Sequence, residues 1–149
     1  MTEVLIRAAA EHDLPQVLNL YRHLHPHEPP LETATAERVW SALLRSGCMT
    51  VIVAQAAERL LSSCTLAIVP NLSRGGRSYG VIENVVTHAD HRRQGLGRQV
   101  LAYALDLAWQ ADCYKVHLAT GSTRETTLRF YEGAGFQRGG KTYFEVRRP

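Results

Sequence analysis

Residues 85–98 read Val85-Val86-Thr87-His88-Ala89-Asp90-His91-Arg92-Arg93-Gln94-Gly95-Leu96-Gly97-Arg98. The β-branched residues at the start are typical of a strand, and apolar residues recur at helical spacing from Leu96 onward. A short basic loop with two glycines therefore joins a strand to a helix. Glycines let main-chain N–H groups turn toward one point, and the first N–H groups of a helix have no internal partner. This combination predicts a nest for a diphosphate.

Two common phosphate-binding motifs do not fit this loop, and one plain alternative does. No Gly-Lys-Ser/Thr follows, so the loop is not of the Walker type. Its glycine spacing also differs from the dinucleotide fingerprint, and no N-terminal βαβ unit surrounds it. The plain alternative is a basic turn before an amphipathic helix, and this stretch alone leaves both interpretations open. Arg92, Arg93 and Arg98 add positive charge in either case.

The composition is that of an ordinary globular domain. The chain has 149 residues, of which 45% are hydrophobic and 21% are charged, so we expect one domain over residues 1–149. No apolar run reaches about 18 residues, so we expect no membrane association, and the N-terminus lacks the pattern of a signal peptide. A net charge of +3 is too small to indicate nucleic-acid binding, but it suits an anionic small ligand.

The cysteines and histidines give no sign of a disulfide framework or a metal site. The odd number of cysteines, with spacings that fit no zinc pattern, favours a cytoplasmic location; they are Cys48, Cys64 and Cys113. His23, His25 and His27 alternate at the start of a proline-rich loop. The proline-rich context argues against metal binding, so we expect no metal site. The alternative is that these histidines line the pocket for the acceptor.

Hydrophobic periodicity and turn residues predict the order of elements as βααβββαβαββ. The predicted strands are residues 4–6, 49–54, 60–69, 78–87, 114–119, 136–137 and 142–146, the last two forming a hairpin. Four helices are predicted. The first begins at Asp13, the second ends near Gly47, the third begins at Gly95 and the fourth spans residues 125–134. Asp13 and Gln16 match a capping box. The fold class is α/β (α+β): a mixed, twisted sheet of about seven strands, antiparallel first and parallel around the crossover helix, with helices on both faces.

A second motif follows the basic loop by about 35 residues and reads Leu128-Arg129-Phe130-Tyr131-Glu132-Gly133-Ala134-Gly135-Phe136. The pattern Arg92-x-x-Gly95-x-Gly97 after a Val-Val-Thr strand resembles the acetyl-CoA loop of the GNAT superfamily of N-acetyltransferases. The later Phe-Tyr…Gly-Phe helix is similar to the second signature of that family. The resemblance covers residues 78–146 well, whereas residues 1–77 match in layout only.

The resemblance implies an acetyl-CoA-dependent N-acetyltransferase in which a primary amine attacks the thioester directly in a ternary complex. The pyrophosphate of the cofactor would contact main-chain amides of Gln94, Gly95, Leu96, Gly97, Arg98 and Gln99. The pantetheine arm would pair with Val85, Val86 and Thr87, and an amide near Val85 or Val86 would polarise the acetyl carbonyl. Arg92 and Arg93 would supply charge at the loop.

Arg124 occupies a position where many relatives of this family carry an asparagine that contacts pantetheine. Its guanidinium could reach a phosphate of CoA, or it could pair with Glu125 or Glu132. The sequence leaves both uses open.

Tyr131 matches the family tyrosine that protonates the departing CoA thiolate. This chemistry needs an acid within hydrogen-bond reach of the sulfur. The alternative is a purely structural aromatic residue beside Phe130. Because adjacent helical positions point about 100° apart, we expect that Phe130 and Tyr131 do not face the same core.

Glu83 lies in the strand that precedes the loop, between β-branched residues, where a carboxylate requires an explanation. One interpretation is a general base that removes a proton from the acceptor ammonium, and the other is a structural ion pair with an arginine. The Ile-Glu-Asn strand, together with Cys113-Tyr114-Lys115, resembles glucosamine-phosphate N-acetyltransferases. The acceptor expected from this likeness is a small molecule such as an amino sugar.

Other functions are open at this stage. The same fold could act as a non-catalytic acyl-CoA sensor, in which Glu83 and Tyr131 would be incidental. A nucleic-acid or protein-interaction module using the loop arginines is a further alternative, although we expect no nucleic-acid partner. Arg74 and Arg77, in a polar glycine loop, are candidates for binding an anionic acceptor. A homodimer is also open, because small proteins of this kind often pair.

Overall fold

A computed structural model describes residues 2–149 of the chain. Within this range it contains five β-strands and four α-helices. They are β1 (Val4–Ala8), α1 (Leu14–Leu24), α2 (Thr33–Arg45), β2 (Met49–Ala56), β3 (Arg59–Val69), β4 (Tyr79–Thr87), α3 (Leu96–Gln110), β5 (Val116–His117) and α4 (Glu125–Gly133).

The strands form one mixed sheet in the order β1-β2-β3-β4-β5. The first three pairings are antiparallel, and β4 pairs with β5 in parallel. Helix α3 makes the crossover between these two parallel strands, as a parallel pair requires. The predicted mixed sheet, antiparallel first and parallel around the crossover, is confirmed.

The sheet has a hydrophobic core on each face. Alternate residues of a strand point to opposite faces, so Ile52 and Ala54 pack in the cluster that contains α3, whereas Val51 and Val53 pack in the cluster that contains α1 and α2. All four side chains are at most 1% exposed. The helices therefore cover both faces of the sheet.

The expected number of about seven strands is wrong, because the predicted C-terminal hairpin does not form. Residues 137–149 contain no strand, and the side chains of Tyr143, Phe144 and Val146 are exposed. The strand predicted over residues 114–119 shortens to Val116–His117, and no hairpin pairs with its other edge. Five strands remain in the described part of the chain.

The predicted capping box at the start of α1 is also absent. The Asp13 carboxylate accepts hydrogen bonds from the Arg7 guanidinium at 2.6 and 2.9 Å and from the Ala10 amide at 2.7 Å, so it ties β1 to the entry of α1. The pKa of Asp13 lies below its usual value mainly because of the bond with Arg7. Gln16 instead binds main-chain atoms of Glu58 and Leu60, each at 2.9 Å, which fixes α1 against the start of β3.

Strand β4 contains a β-bulge at its centre. Thr65 of β3 pairs with Glu83 and Ser63 pairs with Val86, so Asn84 and Val85 lie opposite the single residue Cys64. Asn84 has a φ of 54°, a left-handed conformation that asparagine tolerates better than most residues. A bulge bends its strand and redirects the neighbouring side chains. This one lies just beyond the last residue of β4 that pairs with β5.

Within residues 2–149, no helix combines the length and apolar character needed to cross a bilayer.

Candidate functional site

A groove of about 840 Å³ lies between the end of β4, the start of α3 and helix α4. Eleven of the fourteen site residues expected from the sequence line it: Val85, Val86, Thr87, Arg92, Arg93, Gly95, Leu96, Gly97, Arg98, Arg124 and Tyr131. Glu83, Gln94 and Gln99 do not line it. The two sequence motifs, separated by about 35 residues in the chain, therefore meet across one groove.

One wall of the groove is the free edge of β4. Strand β5 pairs with β4 at Gly80 and Val81 only. Beyond Val81, the edge of β4 that faces away from β3 has no strand neighbour in the described part of the chain. Main-chain groups on such an edge can pair with an extended ligand as with another strand.

The loop end of the groove presents unpaired main-chain donors. Gly95 has a φ of 78° and lets the chain turn into α3. The amides of Leu96, Gly97 and Arg98 open the helix and have no main-chain or side-chain acceptor within residues 2–149. The amide of Gln99, by contrast, donates to the Gly95 carbonyl at 3.1 Å and is already engaged.

Helix α3 and helix α4 approach each other closely at Gly97. A Cβ atom on Gly97 would lie 2.9 Å from Cζ of Phe130 and 3.4 Å from Oγ1 of Thr87. The first distance is shorter than a carbon–carbon contact allows. Glycine at this position therefore lets the first turn of α3 pack directly against Phe130, a residue that lines the groove.

The groove is strongly basic. It is lined by five arginines and by no acidic residue: Arg92, Arg93, Arg98, Arg124 and Arg129. Arg124 makes no ion pair within the described range, because Glu125 pairs with Arg129 and Arg138 and Glu132 pairs with Arg138. The geometry thus leaves the Arg124 guanidinium available to a ligand. Such a lining suits a molecule with several negative charges.

Tyr131 lies in α4, beside the aromatic rings of Phe130 and Phe136, at centroid distances of 5.0 and 6.3 Å. The expectation that Phe130 and Tyr131 face different surroundings is wrong, because both pack against the core cluster under α3. Tyr131 also lines the groove. Burial raises the pKa of its phenol, and the Cys64 thiol and the Glu83 carboxylate raise it further. The phenol therefore keeps its proton at neutral pH.

Glu83 precedes the bulge and has an exposed side chain. It makes no ion pair with any residue in the range 2–149, so the ion-pair alternative gains no support. Its negative charge is close enough to raise the pKa values of Tyr131 and Tyr143. A free carboxylate therefore lies near the Tyr131 end of the groove, outside the groove lining.

A cationic cluster that sequence reasoning missed lies beside the paired part of β4 and β5. The pKa of His117 is lowered by burial and then by the charges of Lys115 and Lys141. His117 stacks against Tyr79, and the Lys115 ammonium lies 5.8 Å from the Tyr79 ring. Lys115 and His117 are neighbours in the sequence, but the parallel pairing of β4 with β5 adds Tyr79, and Lys141 comes from the C-terminal segment.

The other candidates from the sequence have different surroundings. Arg77 pairs with Asp112 at 3.0 Å, and the Arg74 guanidinium lies 5.7 Å from the Tyr114 ring. His23 lines the groove, whereas His25 and His27 are not among its lining residues. Across residues 2–149, no group of three or more metal-binding side chains is arranged to hold an ion. The expectation of a metal-free site stays a prediction.

Known proteins share this sequence pattern and this fold. The sequence profile of the acetyltransferase (GNAT) family matches residues 14–136. Glucosamine 6-phosphate N-acetyltransferase of Trypanosoma brucei brucei is 34% identical over 141 residues, covering 92% of this chain and 93% of that protein. A solved structure from Agrobacterium tumefaciens str. C58, provisionally named an acetyltransferase, is 42% identical with a TM-score of 0.92, covering 97% and 99% of the two chains. The crystal structure of a Trypanosoma brucei acetyltransferase is 30% identical with a TM-score of 0.82, covering 97% and 100%.

The close approach at Gly97 can be tested by Gly97→Ala. The added methyl group must displace the Phe130 ring, and such overpacking typically costs about 1–3 kcal/mol. We expect CoA to bind about tenfold more weakly in isothermal titration calorimetry. Gly121→Ala is the matched control, because no atom lies within 4 Å of the position that its methyl group would take. Equal CoA affinity in Gly97→Ala and the wild type would show that the ligand lies elsewhere.

Proposed function

Because the chain belongs to the acetyltransferase (GNAT) family, we propose that its basic groove holds acetyl-CoA and that the transfer takes place beside Tyr131. The chain is an acetyl-CoA-dependent N-acetyltransferase that moves an acetyl group to an amine. The observation that carries the assignment of the site is one continuous surface. It runs from the unpaired amides of α3, along the free edge of β4, to the phenol of Tyr131. We assign the whole site to a single domain.

The residues of the groove would hold acetyl-CoA in three parts. The amides of Leu96, Gly97 and Arg98 would donate to the pyrophosphate, where the N-terminus of α3 adds partial positive charge. The loop arginines and Arg124 would balance the remaining phosphate charge. Val85, Val86 and Thr87 would pair with the pantetheine arm as a strand pairs with its neighbour.

Two side chains would move the protons of the reaction. Glu83 would take a proton from the acceptor ammonium, directly or through water, so that the amine lone pair can attack the acetyl carbonyl carbon. As the carbon–sulfur bond breaks, Tyr131 would donate its proton to the departing thiolate. The attacking nitrogen would lose its second proton to solvent, and solvent would return a proton to the Tyr131 phenolate, which completes the cycle. The thioester is already activated, and no covalent enzyme intermediate is needed. A non-catalytic acyl-CoA sensor has no observation in its favour.

We propose an amino sugar phosphate as the acceptor. The Trypanosoma and Schizosaccharomyces relatives are both named glucosamine 6-phosphate N-acetyltransferases. In this chain His117 of β5 pairs with Val81, two residues before Glu83 in β4, and the charges of Lys115 and Lys141 act on His117. A phosphate held by this cluster would leave the amine of the same sugar near the carboxylate that deprotonates it. The sequence-based choice of Arg77 is less suitable because that side chain is paired.

A homodimer and a cytoplasmic location stay predictions, each with one supporting observation. Residues 142–146 are rich in β-formers, and their apolar side chains are exposed. A second copy of the chain would cover them. Cys48, Cys64 and Cys113 are all free thiols, two of them buried, which suits a reducing compartment.

The acceptor proposal predicts a strong preference for phosphorylated sugar. We expect kcat/KM for glucosamine 6-phosphate to exceed that for glucosamine. Lys115→Met should lower the ratio of these two values about tenfold, because it raises KM for the phosphorylated sugar. Arg38→Met, an exposed charge on α2, is the control. Equal losses with both sugars in Lys115→Met would mean that the lysine has no contact with the phosphate.

The acid role of Tyr131 predicts a defect in kcat. Tyr131→Phe keeps the ring packing and removes the proton donor, so we expect kcat to fall by roughly 10²-fold with little change in KM for acetyl-CoA. Thiol release measures the rate. Tyr103→Phe, which alters a ring against the same core outside the groove, should retain wild-type activity. Full activity of Tyr131→Phe would remove the assignment.

The base role of Glu83 predicts a pH-dependent defect. In Glu83→Gln only acceptor that is already deprotonated can react, so we expect kcat/KM to fall by roughly 10²-fold at pH 6. It should recover as the pH rises toward the pKa of the amine. Glu37→Gln, an exposed change on α2, controls for the loss of charge. A loss in Glu83→Gln of the same size at every pH would point to a structural role instead.

A further inference from the structure

A second cavity, of about 440 Å³, lies between α1, the start of β3 and the end of β4. It is separate from the acetyl-CoA groove, although His23 lines both. The proposed mechanism does not use it. Its polar lining residues are Gln16, Asn19, Arg22, His23, Arg59 and His88, and none of its lining residues is acidic.

The two histidines of this cavity lie in contact and are oriented by the main chain. Their ring centroids are 4.2 Å apart. His23 Nδ1 accepts from the Ala89 amide at 3.4 Å, and His88 Nδ1 accepts from the Asp90 amide at 3.1 Å. A neutral imidazole that accepts at Nδ1 carries its proton on Nε2. Each ring therefore offers one N–H donor that the main chain leaves free.

The two arginines of the cavity are not neutralised by the protein. Neither Arg22 nor Arg59 forms an ion pair with any residue in the range 2–149. Gln16 is fixed by its bonds to Glu58 and Leu60, so that wall is already ordered. Two guanidinium groups and two imidazole donors thus meet around one concave surface.

The charges around His88 come from three elements. Burial lowers its pKa, and His23 of α1, Arg59 at the start of β3 and His91 of the turn after β4 lower it too. Asp90 of the same turn raises it, with its Oδ2 4.0 Å from His88 Nδ1. The balance is a site of positive potential, which an anion would relieve.

From this arrangement we propose that the cavity is a second anion site that binds a phosphate or phosphate-ester group through Arg22, Arg59 and the Nε2 donors of His23 and His88. Protonation of His88 takes place at Nδ1, where it replaces the bond from the Asp90 amide and faces Asp90 Oδ2 at 4.0 Å. It adds positive charge at the site while Nε2 stays a donor, so the anion binds more tightly as the pH falls. The phosphate has two potential sources: a free phosphoryl compound, or the 3′-phosphate of CoA reaching past His23.

The test uses the full chain saturated with CoA, so that the groove does not bind the added anion. Inorganic phosphate is titrated while the His23 and His88 ring resonances are followed by NMR. We expect both resonances to shift, and Arg59→Ser to weaken phosphate binding about tenfold. Arg45→Ser, another exposed arginine, is the matched control and should bind as the wild type does.

A second arm identifies the source of the phosphate. If the 3′-phosphate of CoA fills the cavity, added phosphate will not bind the CoA-saturated protein. Wild type will then prefer CoA over dephospho-CoA, and Arg59→Ser will lose that preference while Arg45→Ser keeps it. Loss of the preference for CoA in Arg59→Ser would also support an anion site in this cavity. The proposal is overturned if phosphate binding fails and Arg59→Ser leaves the CoA preference unchanged, or if phosphate binds equally well to Arg59→Ser.

The role of His88 has its own readout. His88→Asn retains an acceptor for the Asp90 amide and removes the Nε2 donor and its charge. Sulfate is the probe here, because its charge does not change between pH 5 and 8. Wild type should bind sulfate more tightly at low pH, and His88→Asn should show a weaker pH dependence. An unchanged pH dependence in His88→Asn would remove His88 from the site.

Discussion

Strand β4 is paired on both sides only as far as Val81, and the candidate site depends on the unpaired edge that follows. Parallel β5 ends at His117, opposite Val81. Shortly beyond, the bulge at Asn84 bends β4 while it stays paired with β3 on its other side. An unpaired strand edge carries regularly spaced donors and acceptors. Under the proposed function, the free edge is where the extended pantetheine arm would complete the sheet.

The packing of α3 keeps this edge and the loop in fixed relation. Val100, Leu101, Ala104 and Ala108 are fully buried against the sheet, so the first turn of the helix cannot move without disturbing the core. The small separation at Gly97 then links α3 to Phe130 of α4. The amides of the loop and the phenol of Tyr131 are therefore positioned by one cluster of buried residues. This arrangement holds the site ready before any ligand arrives.

The glycine loop and the helices α3 and α4 were predictable because their signals are local. The strand, glycine loop and helix around Gly95 follow one another in sequence. Tyr131 of α4 and Arg124, which immediately precedes that helix, are about two helical turns apart and line the same groove. The hairpin failed because strand formation depends on a partner, which local propensity does not supply. The capping box at Asp13 failed for a related reason: Arg7, from the neighbouring strand, competes for the carboxylate. The two cationic clusters depend on sheet pairing and on the packing of α1, which are nonlocal.

The positions of the charges along β4 fit the proposed pair of anionic substrates. Arg92 follows the carboxyl end of β4, whereas Lys115 immediately precedes β5, which pairs with β4 near the other end. From Val81 to Thr87 the strand extends by about 20 Å, at roughly 3.3 Å for each residue. Like charges at the surface repel little at that distance, because the separation exceeds a Debye length at physiological salt. Two anions can therefore be held at opposite ends of one strand, while Glu83 and Tyr131 lie between them where the acetyl group would be transferred.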